Sequence, residues 1–436
     1  MQTKRFKLSI IGCISVAIIS LVVANVTSES PDKEIKQAQS AFLKKFPKTE
    51  SNASAIKLQE LTAKLGFIAF GGSQSSQKIT VADADKKAFE EIREELDYID
   101  THLQNPNDKL ELPPEKIRHY LDSHADSLAA IRKYVLTHET PQWEMDITPM
   151  IEGKYYQLPS FWALANVQKI LALDILYQNY QGNTQAMLET LEVSWKLNES
   201  LQNRPELTSQ LDSIMIIRNQ VGVIRKIDNL PPEWQQRLLK HDYRQSMLTT
   251  VELVSLSLVT VLTQKNLYNY YQERGGENPY EWLRYSSPLF QPYIRGFARN
   301  TYQKQQKNYA QLPQENVCTS NVNTLLPKSS WWNPSGEFVG EQEWIKGGQL
   351  MLDLELTQKI IQAKEAAAKE GKWPNSLPNL DSSICPNTKW IYQVSPDGTM
   401  SISLHPIPTW ATKYKSGEIK SSWNKLPLNY SGKVKQ

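Results

Sequence analysis

The feature that most constrains this chain is an uncharged, largely apolar run of 19 residues from Leu8 to Val26, preceded directly by Lys4, Arg5 and Lys7. A bilayer core takes roughly 20 apolar residues as a helix, so the run is long enough to span, and the basic flank orients the N-terminus toward the cytoplasm. Residues 1–7 then form a cytoplasmic n-region, residues 8–26 a transmembrane anchor or signal segment, and everything after about Thr27 lies outside the cytoplasm. The expectation is a single-pass protein of the cell membrane with its bulk periplasmic. Two other readings of the same residues also lead to export. Val22 and Ala24 make a small-residue cleavage site, which would give a chain secreted after cleavage near Ala24. Ile10-Ile11-Gly12-Cys13 resembles a lipoprotein box, although a lipidated cysteine should follow its apolar stretch and here most of the run comes after Cys13.

Export sets the redox environment in which the remaining cysteines are read. Cys318 and Cys385 sit in the loop-like contexts ENVCTSNV and SSICPNT, and disulfides persist in oxidising compartments, so these two are expected to pair. Closing a loop of that length stabilises by about 4 kcal/mol on the chain-entropy account. The competing reading is two unpaired loop cysteines. Neither has a histidine beside it at the spacing zinc requires, so no metal ligand set is assigned.

With 49 basic and 46 acidic residues the net charge is +3, which leaves no electrostatic footprint for nucleic acid. An apolar fraction of 40% excludes a polytopic membrane protein, while 12 Trp and 19 Tyr supply material for real cores.

Beyond a polar tether from Thr27 to about Lys33, hydrophobic periodicity reads as helix almost throughout. Residues 27–150 form an N-terminal helical region with linkers. In it Ile56, Leu58, Leu61 and Leu65 recur at helical spacing before Gly66, GGSQSSQ intervenes, a helix runs from Ala82 to about Leu103, and Pro113-Pro114 open another that continues to about His138. Residues 151–310 form a central helical domain whose helices are punctuated by Gly182-Asn183, Arg204-Pro205 and Pro231-Pro232. Residues 311–436 form a C-terminal module of loop, helix (about Gly347 to Lys369), β-hairpin and tail, with the hairpin strands WIYQV and MSISL joined at Pro396-Asp397-Gly398. The expected fold class is therefore mainly α: a helical bundle or hairpin array behind an N-terminal membrane helix, with a small C-terminal β-hairpin module.

Between Asn266 and Tyr309 aromatic and basic residues interleave. Tyr268, Tyr271, Tyr280, Trp282, Arg284, Tyr285 and Arg295 form a candidate interaction surface, since such rings stack on sugars or on a partner protein. The alternative is that they pack inward with only their polar tips at the surface. The chain carries no G-x-S-x-G elbow, P-loop, G-x-G-x-x-G or H-E-x-x-H, and Ser75 and Lys78 match S-x-x-K in a polar linker without companion motifs. No catalytic, cofactor-binding or metal-binding residue is assigned. His119 and His124 are the best histidine pair, yet five residues apart on a helix they diverge too far for Asp122 or Asp126 to join both.

Several segments carry resemblances. QGNTQAMLETLEVSWKL is similar to the second half of a tetratricopeptide repeat, with Met187, Leu191 and Ser194 at its packing positions; a single copy implies a helical hairpin and not a repeat array. NASAIKLQELTAKLGF, KIRHYLDSHADSLAAIR, the segment from Leu158 to Leu211, WWNPSGEF and EGKWPNSL together resemble a family of exported, mainly helical bacterial proteins of cyanobacterial type with no assigned function. The C-terminal order of helix, EGKWPNSL and hairpin locally resembles the C-termini of major pseudopilins, which implies that Trp373 docks against Leu377 and Leu380. The functional expectation is a membrane-tethered or secreted helical scaffold that binds an envelope protein or glycan. The alternative is a cell-wall or peptide hydrolase using carboxylates among Asp122, Asp126, Glu189 and Glu192.

Overall fold

A computed structural model describes residues 29–70, 79–107, 112–154, 156–263, 291–319, 341–408, 410 and 428–433. The anchor run, the Ser75/Lys78 pair and the WWNPSGEF loop lie outside the described residues. Among those described, the chain is mainly α, with thirteen helices and one three-stranded antiparallel sheet.

The polar tether expected up to Lys33 is instead helical: α1 spans Glu29–Lys45 and buries Ile35 and Phe42 on one face. Helices α2 (Ala53–Ala63), α3 (Asp83–Gln104), α4 (Glu115–Ser123) and α5 (Ala125–Thr137) follow. Asn52 caps α2, its side chain accepting from the Ala55 N–H at 2.9 Å, and Gly66 ends the segment at φ +92°, a conformation in which a Cβ would also strike the Asp85 carbonyl. The single helix expected from Pro114 to His138 is broken at His124, whose backbone leaves helical geometry (φ −111°, ψ 15°). There the imidazole stacks 4.1 Å from the Tyr120 ring and its Nδ1 lies 2.8 Å from the Tyr120 carbonyl oxygen.

A one-turn α6 (Thr148–Ile151) leads to the centre of the molecule, α7 (Trp162–Tyr180), α8 (Thr184–Gln202) and α9 (Leu207–Ile224). Helices α7 and α8 form the expected hairpin around Gly182. Gln168 bonds Ser194 and Asp174 bonds Thr190, so partners converge on the turn as antiparallel helices require. Helix α9 is apolar around most of its circumference because it packs on α7, α8, α3, α11 (Tyr243–Thr263) and α13 (Glu341–Glu370) alike. At Gly222 the backbone of α3 comes so close that a Cβ would lie 2.1 Å from the Leu103 oxygen.

After Pro231-Pro232 come two helices, a short α10 (Glu233–Leu238) and α11, separated near His241. The stretch Glu233–Thr263 is the one place among the described residues long and apolar enough to cross a membrane by length and composition, and 61% of that window is buried inside the protein. Two cores explain its apolarity. Tyr243, Met247 and Leu248 enter the main core, whereas Leu253, Leu256, Val259 and Leu262 join Ile35 and Phe42 of α1, Ile147, Ile151, and Ala298 and Tyr302 of α12 (Gln291–Gln311) in a second, smaller core.

The final long helix, α13, is about 45 Å long and lies along α11, crossing it closely at Gly347, where a Cβ would approach the Tyr243 oxygen to 2.8 Å. Gly371 ends it at φ +71°, and Trp373 and Leu377 fold back onto the main core with Leu380 partly buried beside them. The expected hairpin is present as β1 (Lys389–Val394) and β2 (Thr399–His405), in a register that opposes Trp390 with Leu404 and Tyr392 with Ile402. A third strand, β3 (Asn429–Lys433), pairs antiparallel to β2. The main core draws buried residues from Ala55 to Leu428, and so from all three of the regions marked out in the sequence.

Candidate functional site

Of the candidate surface, Tyr268, Tyr271, Tyr280, Trp282, Arg284 and Tyr285 lie outside the described residues. Arg295 stands half-buried on α12. The aromatic residues described further along that helix turn inward: Tyr302 joins the second core, where burial and then Glu252 and Glu34 push its phenol well above the ordinary range. Tyr309 is pushed up to about 12 by burial, and its hydroxyl is 3.1 Å from Ser255 Oγ.

The four carboxylates considered for acid–base work fall on three helices, Asp122 on α4, Asp126 on α5, and Glu189 and Glu192 on α8. Asp122 accepts the Tyr177 hydroxyl at 3.2 Å, and Asp126 lies exposed in the first turn of α5. Glu189 accepts from Gln185 at 2.7 Å. Glu192 is bidentate with Arg237, and that guanidinium also sits 4.8 Å from the Trp234 ring and 5.3 Å from Trp195, with Glu199 3.7 Å away. These contacts fasten α8 to α10 by charge and cation–π attraction together. His119 is exposed while His124 is buried, so the pair is not brought together. Among the described residues no group of three His, Cys, Asp or Glu side chains is placed to hold a metal ion.

What the structure does assemble is a polar clamp that fixes the C-terminal module to α13. Cys318 and Cys385 are joined by a disulfide with Cα atoms 5.8 Å apart, within the span such a bond requires, and both residues are buried. Beside this module, the buried carboxylate of Glu355 on α13 receives four donors. Ser382 Oγ (2.6 Å) and Trp390 Nε1 (2.9 Å) donate to one oxygen, and the Ser383 N–H (2.6 Å) and Oγ (2.8 Å) to the other. A carboxylate can be stripped of water only when its lone pairs are filled in this way. Two residues earlier Asp353 pairs with Arg225, both only 1% exposed; Arg225 also donates to Thr357 Oγ1 (2.9 Å) and to the Asp353 carbonyl (3.1 Å), which locks the end of α9 to α13. Lys359 reaches the Asn379 carbonyl at 2.6 Å, and burial lowers its ammonium below the ordinary lysine value against the opposing pull of Glu355 and Asp381.

Sequence reasoning did not single out Asp353, Glu355 or Arg225. A signal existed: in LMLDLELTQ the two acids alternate with leucines, so a helix apolar on both sides must bury them, and a buried acid needs partners. The partners, at positions 225, 382, 383 and 390, are set by tertiary packing alone.

A comparable polar knot fixes the entry to α9. Arg204 pairs with the buried Glu206 at 2.6 Å, donates to the carbonyls of Trp143 (3.2 Å) and Glu144 (3.0 Å), and lies 5.2 Å from the Phe161 ring. Nearby, burial raises the Asp212 carboxyl to about 6, opposed by a hydrogen bond from the Phe161 backbone. No family model, no curated protein and no solved structure matches this chain.

Proposed function

We propose that the chain is a membrane-tethered or secreted helical scaffold of the cell exterior, which binds an envelope partner, protein or glycan, and does no chemistry of its own. The observation that carries this reading is the Cys318–Cys385 bridge, because a buried disulfide across the C-terminal module suits an oxidising compartment. The order of basic flank and apolar run at the N-terminus supports the same placement. The contacts of the polar groups support a structural role. Asp122, Glu189 and Glu192 are each engaged by a neighbour, and the deeply buried charges Arg225, Asp353, Glu355, Arg204 and Glu206 tie helices to one another. In the tethered form the membrane itself is a partner, contacted through the apolar run of residues 8–26.

The test is a reporter enzyme active only outside the cytoplasm, fused after Gln436, combined with crosslinking in intact cells and identification of the captured partner. Reporter activity that falls when Lys4, Arg5 and Lys7 are removed, together with a crosslinked envelope component, is the expected result. A reporter silent outside the cytoplasm overturns the placement.

A further inference from the structure

A cleft lies where the α7–α8 turn meets the end of α9. It has a volume of about 300 Å³, at the small end of the range of ligand sites, and is lined by Leu176, Asn179, Tyr180, Thr184, Met187, Lys226, Ile227, Asp228 and Asn229. Its lining divides by chemistry. Leu176, Met187 and Ile227 are almost wholly buried and form an apolar floor. Around them stand an aromatic ring, Tyr180, which is 64% exposed although it lies beside the core, and a rim of amides, a hydroxyl and one charge of each sign. Asp228 is held by Lys364 at 3.0 Å, and Lys364 also donates to the carbonyls of Arg225 (2.7 Å) and Ile227 (3.1 Å), so the loop carrying Asp228 and Asn229 is fastened to α13. The opposite rim is fastened too. Gly182 turns the chain at φ +76°, and the Asn183 side chain bridges Gln178 and Gln181 at 3.0 and 3.1 Å.

We infer that this cleft is a binding subsite for a neutral saccharide, one pyranose ring lying against Tyr180 with its hydroxyls read by Asn179, Thr184 and Asn229. A pyranose has an apolar C–H face and an equatorial belt of hydroxyls that both donate and accept. An exposed phenol ring matches the face, and amide groups, which also donate and accept, match the belt. Charge argues against an anionic occupant, because Lys226 and Asp228 stand on the same rim with opposite signs. The choice of envelope glycans as probes rests on the scaffold reading above; the cleft itself does not.

The experiment uses the full chain in a zwitterionic detergent without a sugar headgroup, and saturation-transfer NMR with N-acetylglucosamine, its β-1,4-linked dimer and tetramer, and glucose at millimolar concentration. Saturation transfer to at least one sugar is expected. Tyr180→Ala and Asn229→Ala should each weaken it about tenfold with an unchanged melting temperature, since both residues are exposed, while Tyr180→Trp should retain it. Thr184→Ala serves in place of any variant that fails to fold. No transfer to any of the sugars overturns the inference, as does binding indifferent to these substitutions, or binding of inorganic phosphate that depends on Lys226. A cytoplasmic reporter result would end the exterior placement and leave sugar binding by the purified chain standing.

Discussion

The central helices and the C-terminal module bury their large side chains equally well but are held by different means. In the α7–α8–α9 centre, Leu164, Ile170, Leu171, Leu191, Leu197, Ile216 and Val221 are all at or below 1% exposure, and the polar groups among them are mostly uncharged. Gln168, Ser194 and Gln220, for example, bond to one another at 2.6 to 3.4 Å. Every helix there has neighbours on several sides, so apolar area removed from water carries the stability. The module after Gly371 offers only one face of a small sheet, with Trp390, Met400, Ile402 and Leu404 as its core side chains. A sheet that small is marginal alone, and it is fixed by a covalent bond, a buried carboxylate with four donors and the long helix behind it. The difference teaches that the two regions should fail under different perturbations.

The largest effect is expected from Cys385→Ser. Opening the 67-residue loop should cost about 4 kcal/mol, and hydrogen exchange should accelerate in β1, β2 and the Trp373–Leu380 segment while α7, α8 and α9 stay protected. Uniform acceleration throughout the chain would abolish the distinction between the regions.

Glu355→Gln sharpens the comparison at constant size. The amide cannot accept at both ends, so a buried serine or the Trp390 N–H loses its partner, at about 2 kcal/mol. Chemical denaturation should show the loss, and near-ultraviolet dichroism should register a change around Trp390. A variant as stable as the native chain would mean that the disulfide alone holds the module.

The smallest expected effect is a gain, and it belongs to the centre. Burial keeps the Asp212 carboxyl neutral up to about pH 6, above the value near 3.8 of a free side chain. Below about pH 4 both the folded and unfolded forms are protonated and no penalty exists. Between about pH 4 and pH 6 the unfolded carboxyl ionises while the folded one stays protonated, so stability is lost across that window and changes no further above it. Asp212→Asn should therefore stabilise by on the order of 1 kcal/mol at pH 7 and by nothing at pH 4, read as two melting curves. An equal gain at both pH values would assign the effect to something other than ionisation.

The amino-acid sequence by itself determined the class of fold and most of its punctuation. Periodicity marked the helices, and Gly66, Gly182, Gly371 and Gly398 stand where the chain turns with positive φ, because backbone sterics at a single residue depend little on the rest of the molecule. The pairing of Cys318 with Cys385 was also legible, since only two cysteines lie beyond the apolar run. Tertiary structure alone decided what depends on distant partners. Strand β3, for example, forms on β2 from a segment with little strand character of its own. Helix α1 occupies the expected tether because Ile35 and Phe42 find the far half of α11. The sites of Glu355 and Arg225 belong to the same group, as does the cleft beside Tyr180: each gathers residues far apart in the chain, and pair contacts at such separation leave no local pattern that a periodicity or a motif can register.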